Sequence, residues 1–245
     1  RASGKISRLQ DHLLILKSKT MVPQCIGIIM DGNRRWARER GVPSFEGHRA
    51  GKEKLEEVME WVKEAGIPHL VVYAFSSENW NRTKEEVGYL MDLLRLVFSK
   101  ELPEFIKKEV RIRFVGERSR LPWDVEEVLR TAEKETEEFS AHTLWIALSY
   151  GGRDEIVHAT NSILDLKSDK PVTEEVFSRY LFTAGMPDPD LIIRTGGERR
   201  LSNFLPWQSV YSELFFEDTY WPDFEKEDFT RILKEFAGRE RRRGA

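Results

Sequence analysis

The sequence predicts an α/β fold, a single domain with a central, mostly parallel six-stranded sheet covered by helices. Short apolar runs of strand length alternate along the chain with longer segments that carry apolar residues at helical spacing. At 245 residues the chain is long enough to bury one substantial core. No internal repeat, low-complexity stretch or Pro/Gly/Ser-rich linker divides it. Strands in steady alternation with helices are typical of a parallel sheet with helices on its faces.

The strands are predicted from six short apolar runs. In chain order these are IGIIM at 26–30, HLVVYAF at 69–75, RIRFV at 111–115, TLWIALS at 143–149, LIIRT at 191–195 and SELFF at 212–216. Between them, helical spacing predicts helices at 49–65, 84–107, 123–139, 153–167, 173–183 and 226–239, and a short basic helix at 34–40.

The ends of the chain are predicted to differ from the middle. Residues 1–21 place Leu9, Leu13 and Leu16 at helical spacing and predict an amphipathic N-terminal extension. The main domain is predicted to cover residues 22–245. Packing of the extension on this domain is favoured over contact with a membrane.

Composition excludes several classes of protein. Lys and Arg total 39 against 42 Asp and Glu, a net charge of -3, so a nucleic-acid binder driven by bulk charge is not expected. The single cysteine, Cys25, excludes an internal disulfide framework and a CxxC metal cluster. No run approaches the ~20 apolar residues of a transmembrane helix. We expect a cytoplasmic protein without a transmembrane segment, with peripheral contact to a membrane as an alternative.

Polar loops follow four of the predicted strands, at residues 31–35, 76–82, 150–153 and 194–198. The carboxyl ends of parallel strands share one edge of the sheet, so these loops are predicted to converge on one cleft. This convergence favours an enzyme over a binding module.

The charged residues in these loops suggest an anionic substrate. Four arginines could offer forked donors to diphosphate oxygens: Arg35, Arg82, Arg194 and Arg200. Magnesium prefers oxygen ligands, and Asp31 and Glu213 are the candidate carboxylates. Each residue also has an ordinary alternative, because arginines often cover surfaces, Asp31 could cap a helix, and Glu213 could be a strand-edge charge. No GxGxxG, HExxH or GxSxG motif occurs, and residues 47–53 are one residue short of a P-loop.

From about residue 22 onward the sequence resembles the cis-prenyltransferases, the family of undecaprenyl diphosphate synthase. The resemblance rests on six motifs in order: MDGNRRWA at 30–37, EGH at 46–48, YAFSSENW at 73–80, YGGR at 150–153, RTGGE at 194–198 and WPDF at 221–224. It implies condensation of isopentenyl diphosphate onto an allylic diphosphate, usually farnesyl diphosphate. Pyrophosphate would be released and cis double bonds formed.

The resemblance also implies residue roles. Asp31 would organise Mg²⁺ and the diphosphates, with Glu213 as second metal ligand. The allylic diphosphate would be held by Gly32, Asn33, Arg35 and His48, and isopentenyl diphosphate by Arg194, Arg200 and Ser202. Further substrate contacts are expected at Arg34, Ser76, Ser77, Glu78 and Arg82. Asn79 is the family's proposed proton acceptor, although a neutral amide is a poor base and could instead position one.

Aromatic and apolar residues are expected around the prenyl chain. Trp36, Phe75 and Trp80 would meet the chain or close a loop over it, and plain core packing is the alternative for each. The helical face of Leu90, Leu93, Leu94 and Val97 could line an apolar tunnel, although any core helix has such spacing.

The chain departs from the family pattern near the first motif. Many members have Arg three residues after Gly41, where this chain has Ser44. The missing phosphate contact could be supplied by Arg38, Arg40 or Arg49. Many bacterial members have Gly in place of Arg34 and His in place of Arg199, and the added positive charge is compatible with diphosphate binding.

An Arg-x-Gly motif at 242–244 resembles the segment by which one subunit completes its neighbour's isopentenyl site. It implies a homodimer with Arg242 in the partner's site, and a basic tail is the alternative. Two other functions stay open: a non-catalytic subunit of a heteromeric synthase, and a diphosphate hydrolase that uses the same cleft.

Overall fold

The computed structural model describes residues 22–239, in which six strands alternate with eight helices. The strands are β1 (Cys25–Ile29), β2 (His69–Ser76), β3 (Val110–Val115), β4 (His142–Tyr150), β5 (Leu191–Arg194) and β6 (Glu213–Phe216). The helices are α1 (Asn33–Glu39), α2 (Ser44–Glu64), α3 (Lys84–Lys100), α4 (Leu102–Lys107), α5 (Trp123–Glu135), α6 (Gly152–Asp165), α7 (Glu174–Ser178) and α8 (Lys226–Gly238). Short 3₁₀ turns cover Ser77–Asn81, Arg118–Arg120 and Trp221–Asp223.

The strands form one sheet in the order β3-β4-β2-β1-β5-β6, and all five neighbouring pairs are parallel. The predicted α/β class is confirmed, and the sheet is wholly rather than mostly parallel. The chain leaves β1 towards β2 and later returns to its other side with β5. This reversal opens a crevice beyond the carboxyl end of β1, where ligands of such sheets usually bind.

Three of the predicted helical segments differ from the observed helices. The segment predicted as one helix over 84–107 forms α3 and α4, because Pro103 has no N–H for the bond that would continue α3. Helix α2 begins at Ser44 rather than residue 49 and so includes His48. Helix α7 ends at Ser178, short of the predicted residue 183.

The core lies on both faces of the sheet. Along β1, Ile26 and Ile28 face one apolar cluster, while Cys25 and Ile29 face the other. Both faces of a parallel sheet are covered by helices and loops, so the central strand β1 is buried along its whole length. The edge strand β3 instead alternates buried apolar residues with Arg111 and Arg113. None of the helices between residues 22 and 239 combines the length and apolar character that a bilayer crossing requires.

Candidate active site

Asp31 lies just past the end of β1, and its carboxylate is held by arginines from two other elements. Its Oδ1 is 3.2 Å from Nη2 of Arg35 in α1, and its Oδ2 accepts a hydrogen bond of 2.9 Å from Nη2 of Arg194 at the end of β5. Gly32, not Asp31, is the N-cap of α1, and no side chain caps this helix. The Asp31 carboxylate is therefore turned into the cleft instead of serving as a helix cap.

Arg194 is the buried cation of the site, with 4% of its surface exposed. Its Nη1 donates to Oγ of Ser202 at 2.8 Å and to the backbone carbonyl of Arg200. Its Nε is buried without a hydrogen-bond partner among the described residues. A buried guanidinium with an unused donor is suited to an additional anionic partner such as a diphosphate.

Asn33 is held where α2 crosses the start of α1. A Cβ at Gly47 would lie 2.1 Å from the Asn33 carbonyl oxygen, and a Cβ at Gly51 would lie 2.6 Å from Asn33 Oδ1. These glycines therefore let the two helices approach closely. The buried Oδ1 of Asn33 has no hydrogen-bond partner among residues 22–239, so its amide can accept a bond from a ligand.

Three basic side chains surround Glu86 of α3. Its Oε1 accepts a hydrogen bond of 2.9 Å from Arg82 Nη1, and it lies 3.6 Å from His48 Nε2 and 3.7 Å from Arg34 Nε. Because these three groups line the cleft, Glu86 acts as the counter-ion of a ready-made anion site.

The surroundings of His48 favour the neutral form of its imidazole. Burial lowers the pKa of this imidazole, the nearby Arg82 guanidinium lowers it further, and Glu86 opposes both effects. Its buried Nε2 has no hydrogen-bond partner in the described part of the chain. A diphosphate beside it would favour the protonated form, so His48 can gain charge when an anion binds.

Three cavities meet at this cleft. A polar cavity of about 600 Å³ is lined by Arg34, Arg35, Arg38, Ser44, His48 and Arg82, among others. A second polar cavity, of about 550 Å³, includes Tyr73, Ser76, Glu78, Asn79, Arg194 and Ser202. An apolar cavity of about 140 Å³ reaches between α2, α3 and the sheet. Met30, Asn33 and His48 line all three cavities, so the polar and apolar spaces adjoin at these residues.

The apolar cavity is where the sequence predicts a tunnel. The predicted helical face of Leu90, Leu93, Leu94 and Val97 lines it, as do Phe75 and Ala74 of β2. Phe98 stands at its wall and packs edge-on against Phe114, with ring centroids 4.8 Å apart.

Asn79 stands in the 3₁₀ turn Ser77–Asn81 that follows β2. Its Oδ1 accepts a hydrogen bond of 3.1 Å from the Ser76 backbone N–H, and the Ser76 hydroxyl caps the turn in return. The amide oxygen is thus occupied locally, and a neutral amide gains no basicity from this bond. The arrangement fits a positioning role for Asn79 better than proton abstraction.

Several predicted site residues are held outside the walls of these cavities. The Trp36 indole donates to Asp223 Oδ1 at 2.7 Å and stacks under Arg40, because Trp36 and Arg40 share the face of α1 turned away from the cleft. Trp80 donates to Ser149 Oγ at 2.9 Å and packs against Phe75 from behind.

Two polar residues also point elsewhere. The Arg200 side chain is 61% exposed and pairs with Glu198. Ser77 lies against the turn after β4, where a Cβ at Gly151 would be 2.5 Å from its Oγ. Within one chain, Arg200 thus contributes a backbone carbonyl to Arg194 rather than a guanidinium to the cavity wall.

Glu213 does not lie beside Asp31 in this chain. It begins β6 and pairs with Leu191, whereas Asp31 follows Ile29, which pairs with Arg194 at the opposite end of β5. Its carboxylate accepts a hydrogen bond of 2.6 Å from Arg239 Nη1. Within a single chain Asp31 and Glu213 therefore do not share one site, because the parallel register puts them at opposite ends of the strands. The role of Glu213 as a metal ligand stays a prediction.

The residues present fit a magnesium ion only together with a diphosphate. No group of three or more His, Cys, Asp or Glu that could hold a metal ion occurs among residues 22–239, and Asp31 is the carboxylate that lies between Arg35 and Arg194. Magnesium commonly binds through one or two carboxylates, water and substrate phosphates. Asp31, flanked by arginines that can hold phosphate oxygens, matches that donor set.

The predicted extension at 1–21 and Arg242 lie outside the described residues. Sequence reasoning missed Glu86, which stands four residues after Arg82 and could have been found as an i,i+4 pair at a helix start. It also missed Asn203, directly after Ser202, for which the sequence carries no signal.

Comparison with known families gives a match over nearly the whole described chain. A family model described as "Putative undecaprenyl diphosphate synthase" matches residues 29–244. An isoprenyl transferase from Thermotoga maritima is 48% identical over 226 residues, which cover 91% of this chain and 97% of that protein. A tritrans,polycis-undecaprenyl-diphosphate synthase (geranylgeranyl-diphosphate specific) from Pyrococcus horikoshii is 48% identical and covers 96% of this chain and 92% of that protein.

Solved structures agree with these sequence relatives. Lavandulyl diphosphate synthase from Lavandula x intermedia, in complex with dimethylallyl diphosphate, superposes with a TM-score of 0.87 at 32% identity and covers 91% of this chain and 99% of that one. A probable undecaprenyl diphosphate synthase from Campylobacter jejuni has a TM-score of 0.77 at 35% identity, with the same coverage of both chains.

Proposed function

Because the chain belongs to the undecaprenyl diphosphate synthase family of cis-prenyltransferases, we propose that it extends an allylic diphosphate with isopentenyl diphosphate units. The observation that carries this proposal is that three cavities share Met30, Asn33 and His48 in their walls. There a basic cavity, a second polar cavity around Arg194 and an apolar cavity meet. A reaction that joins two diphosphates and stores an apolar product needs these three spaces side by side.

The basic cavity would hold the allylic diphosphate. Arg34, Arg82 and His48 are already gathered around Glu86, and Arg35 reaches Asp31 from the other side. Their charge would stabilise the pyrophosphate leaving group as the allylic C–O bond breaks. The prenyl tail would enter the apolar cavity, where exclusion of water limits capture of the allylic cation.

Arg38 would supply the phosphate contact that Ser44 does not. Both residues line the basic cavity. Arg40 is bound to Asp223 by two hydrogen bonds, and Arg49 pairs with Glu46 at 2.6 Å. Of the three arginines that could replace the missing contact, Arg38 is therefore the one placed for it.

The cavity around Arg194 would hold isopentenyl diphosphate through Arg194 and Ser202. Its double bond would attack the allylic carbon, a new C–C bond would form as pyrophosphate leaves, and a proton would be lost from the neighbouring carbon. Asn79, Ser76 and Glu78 line this cavity. Asn79 would orient the base, for which the released pyrophosphate and a water molecule are the two candidates.

Magnesium would be held by Asp31 together with diphosphate oxygens, and when bound it would neutralise charge between the two diphosphates. Arg35 and Arg194 fix the direction of the Asp31 oxygens before any ion arrives. Preorganisation of this kind limits the reorganisation that binding requires.

A homodimer would form along β6, one of the two edge strands of the sheet. Val210, Tyr211 and Leu214 are exposed beside this edge, and natural proteins usually cover such strands. The Arg239 guanidinium lies 4.3 Å from the centroid of the Phe215 ring in β6, so the chain reaches this edge three residues before Arg242. Arg242 would then be placed to enter the isopentenyl site of the partner subunit.

The starter is proposed to be farnesyl diphosphate, and geranylgeranyl diphosphate is a second candidate. Several relatives named as geranylgeranyl-diphosphate specific are 45–48% identical and cover 96% of this chain, against 91% for the isoprenyl transferase of T. maritima. The chain is further proposed to act in the cytoplasm and to deliver its apolar product to a membrane. Its one cysteine, Cys25, is buried and free, as expected in a reducing compartment.

Product analysis tests the proposal against its alternatives. The purified protein with Mg²⁺ and isopentenyl diphosphate is given farnesyl or geranylgeranyl diphosphate in parallel, and EDTA is added to a control. Elongated, EDTA-sensitive prenyl diphosphates support the proposal, and the faster starter identifies the preferred substrate. Phosphate release without elongation would indicate a hydrolase, and no turnover with either starter would indicate a non-catalytic subunit.

A further inference from the structure

Three loops of the cleft meet at a single side chain, Asn203. Its Nδ2 donates to Glu78 Oε1 at 3.0 Å, in the turn after β2. Its Oδ1 accepts from the Arg153 backbone N–H at 2.9 Å, and its carbonyl accepts from the Gly152 N–H at 2.8 Å, both at the start of α6, directly after β4. Asn203 itself belongs to the loop after β5, so it joins the ends of three strands.

The loop that carries Asn203 has an unusual backbone. Ser202, Asn203 and Leu205 have φ values of 49°, 66° and 50°, in the left-handed region that side chains other than those of Gly and Asn seldom adopt. Such a conformation persists only where surrounding contacts fix it. The Tyr73 hydroxyl adds one contact, because it lies 3.4 Å from the Ser202 carbonyl oxygen as well as 3.0 Å from the Tyr150 carbonyl oxygen.

The loops are packed closely together around Asn203, so its hydrogen bonds help to fix their relative positions. A Cβ at Gly151 would lie 2.9 Å from Asn203 Nδ2, and a Cβ at Gly152 would lie 2.0 Å from Pro206. Glu78 is a carboxylate at neutral pH: partial burial raises its pKa, but hydrogen bonds from the backbone and from Asn203 hold the pKa below its ordinary value. The bond from Asn203 is therefore charge-assisted.

Resting on the proposed function, we infer that Asn203 is a positioning residue that clamps the Asn79 turn and the Ser202 loop into one isopentenyl diphosphate site. Ser202 receives the hydrogen bond of 2.8 Å from Arg194, so a shift of its loop moves the phosphate-binding group. Glu78 precedes Asn79, so release of Glu78 loosens the turn that orients the proton transfer. The basic cavity has neither Asn203 nor Glu78 in its wall.

The clamp predicts that substitution of Asn203 changes the KM for isopentenyl diphosphate far more than the KM for the allylic diphosphate. Asn203→Asp keeps an acceptor for the Arg153 N–H but sets a second carboxylate against Glu78. We expect the KM for isopentenyl diphosphate to rise about tenfold, while the KM for the allylic diphosphate stays within about twofold. A purely structural defect would impair both substrates together.

A reversal of the bond polarity provides the decisive control. In the double variant Glu78→Gln/Asn203→Asp, the Gln amide can donate to the Asp carboxylate, so all three loops are joined again. We expect its KM for isopentenyl diphosphate to return to within about threefold of the wild-type value. Asn161→Asp, the same change on the exposed face of α6, is the matched control and should leave both KM values unchanged.

The experiment is steady-state kinetics of these variants, with thermal unfolding to confirm that each is folded. Glu78→Ala, at an exposed position, breaks the clamp from its other side and tests it if Asn203→Asp does not fold. A raised KM for isopentenyl diphosphate in Asn203→Asp or Glu78→Ala, with rescue of that KM in the double variant, supports the clamp. An unchanged KM in the folded single variants, or a double variant no better than Asn203→Asp, overturns it. Failure of the proposed function would differ, because the wild-type protein would then form no elongated product.

Discussion

Asp31 lies at the centre of the cleft, where two arginines from different parts of the chain fix the position of its carboxylate. Arg35 lies on α1, the helix after β1. Arg194 lies at the end of β5, 163 positions after Asp31 in the sequence. Neither arginine is fully used by Asp31. The arrangement can bind further anions, since each guanidinium retains N–H groups that can donate hydrogen bonds to phosphate oxygens.

Arg38 provides a test of the basic cavity at the residue scale. Arg38→Ala should raise the KM for the allylic diphosphate about tenfold, the usual effect of one lost hydrogen bond to a charged group. Arg40→Ala on the same helix is the matched control, because Arg40 binds Asp223 on the face turned away from the cavity. Equal effects of the two substitutions in steady-state kinetics would remove Arg38 from the site.

His48 predicts a pH dependence of allylic diphosphate binding. Burial and Arg82 lower the pKa of its imidazole in the free protein, and a bound diphosphate would raise it. Between these two pKa values, binding takes up a proton, so affinity should increase as pH falls from 8 to 6, by up to about tenfold per pH unit.

The ligand also titrates, so the control is His48→Gln. Titration calorimetry without isopentenyl diphosphate measures the affinity of this variant for the same allylic diphosphate. The pH dependence of that affinity reflects the titration of the ligand alone. The ratio of wild-type to variant affinity should increase towards low pH. A ratio that is constant with pH would show that His48 does not change its protonation on binding.

At the scale of elements, the site depends on how closely α2 approaches α1. Gly47 and Gly51 stand one turn apart on α2 and face Asn33 at the start of α1. The same helix then carries Leu55 into the wall of the apolar cavity. The contact of α1 with α2 thus places the diphosphate-binding groups beside the space for the prenyl chain.

Gly47→Ala tests this close approach. The new Cβ would lie 2.1 Å from the Asn33 backbone oxygen, so the helices must separate, and we expect a loss of about 1–3 kcal/mol in the free energy of unfolding. Gly88→Ala in α3 is the control, because nothing lies within 4 Å of its Cβ, and it should stabilise by about 0.5–1 kcal/mol. Chemical denaturation measures both changes, and a neutral Gly47→Ala would contradict the packing described.

The apolar cavity predicts a change in product length. Ala74→Leu on β2 would fill part of a cavity of about 140 Å³, so chain growth should stop earlier and shorter prenyl diphosphates should accumulate. Ala50→Leu, at a half-buried position outside the three cavities, is the matched control. Chromatography of dephosphorylated products gives the lengths. An unchanged distribution in Ala74→Leu would place the growing chain elsewhere.

At the scale of the whole molecule, the fold was largely predictable because its signals are local. Each of the six apolar runs is a strand, and the polar loops after β1, β2 and β5 line one cavity, as expected from parallel topology. The segment after β4 contacts this cavity through Asn203. The break between α3 and α4 also has a local cause, in Pro103. The helix boundaries that were misjudged lie in first or last turns, where spacing alone gives little information.

The site was predicted less completely because it depends on register and helix rotation. Trp36 belongs to the first motif, yet its position on α1 turns it towards Asp223. Glu213 is acidic and near a strand, yet the register of β5 with β6 sets it at the opposite end of the strands from Asp31. Asn203 acts through contacts between distant segments, which a single sequence does not reveal, whereas Glu86 could have been found from its i,i+4 spacing with Arg82.

Elongation by an Asp31→Asn variant is the measurement on which the proposed chemistry depends most. Wild-type protein, Asp31→Asn and the exposed control Asp165→Asn are incubated with Mg²⁺, farnesyl diphosphate and radiolabelled isopentenyl diphosphate, and the dephosphorylated chains are sized. We expect wild-type and Asp165→Asn proteins to form labelled polyprenyl chains, and Asp31→Asn to lose at least about 100-fold in rate while remaining folded. Chain elongation at a wild-type rate by Asp31→Asn would contradict the assignment of Asp31 as the centre of the site.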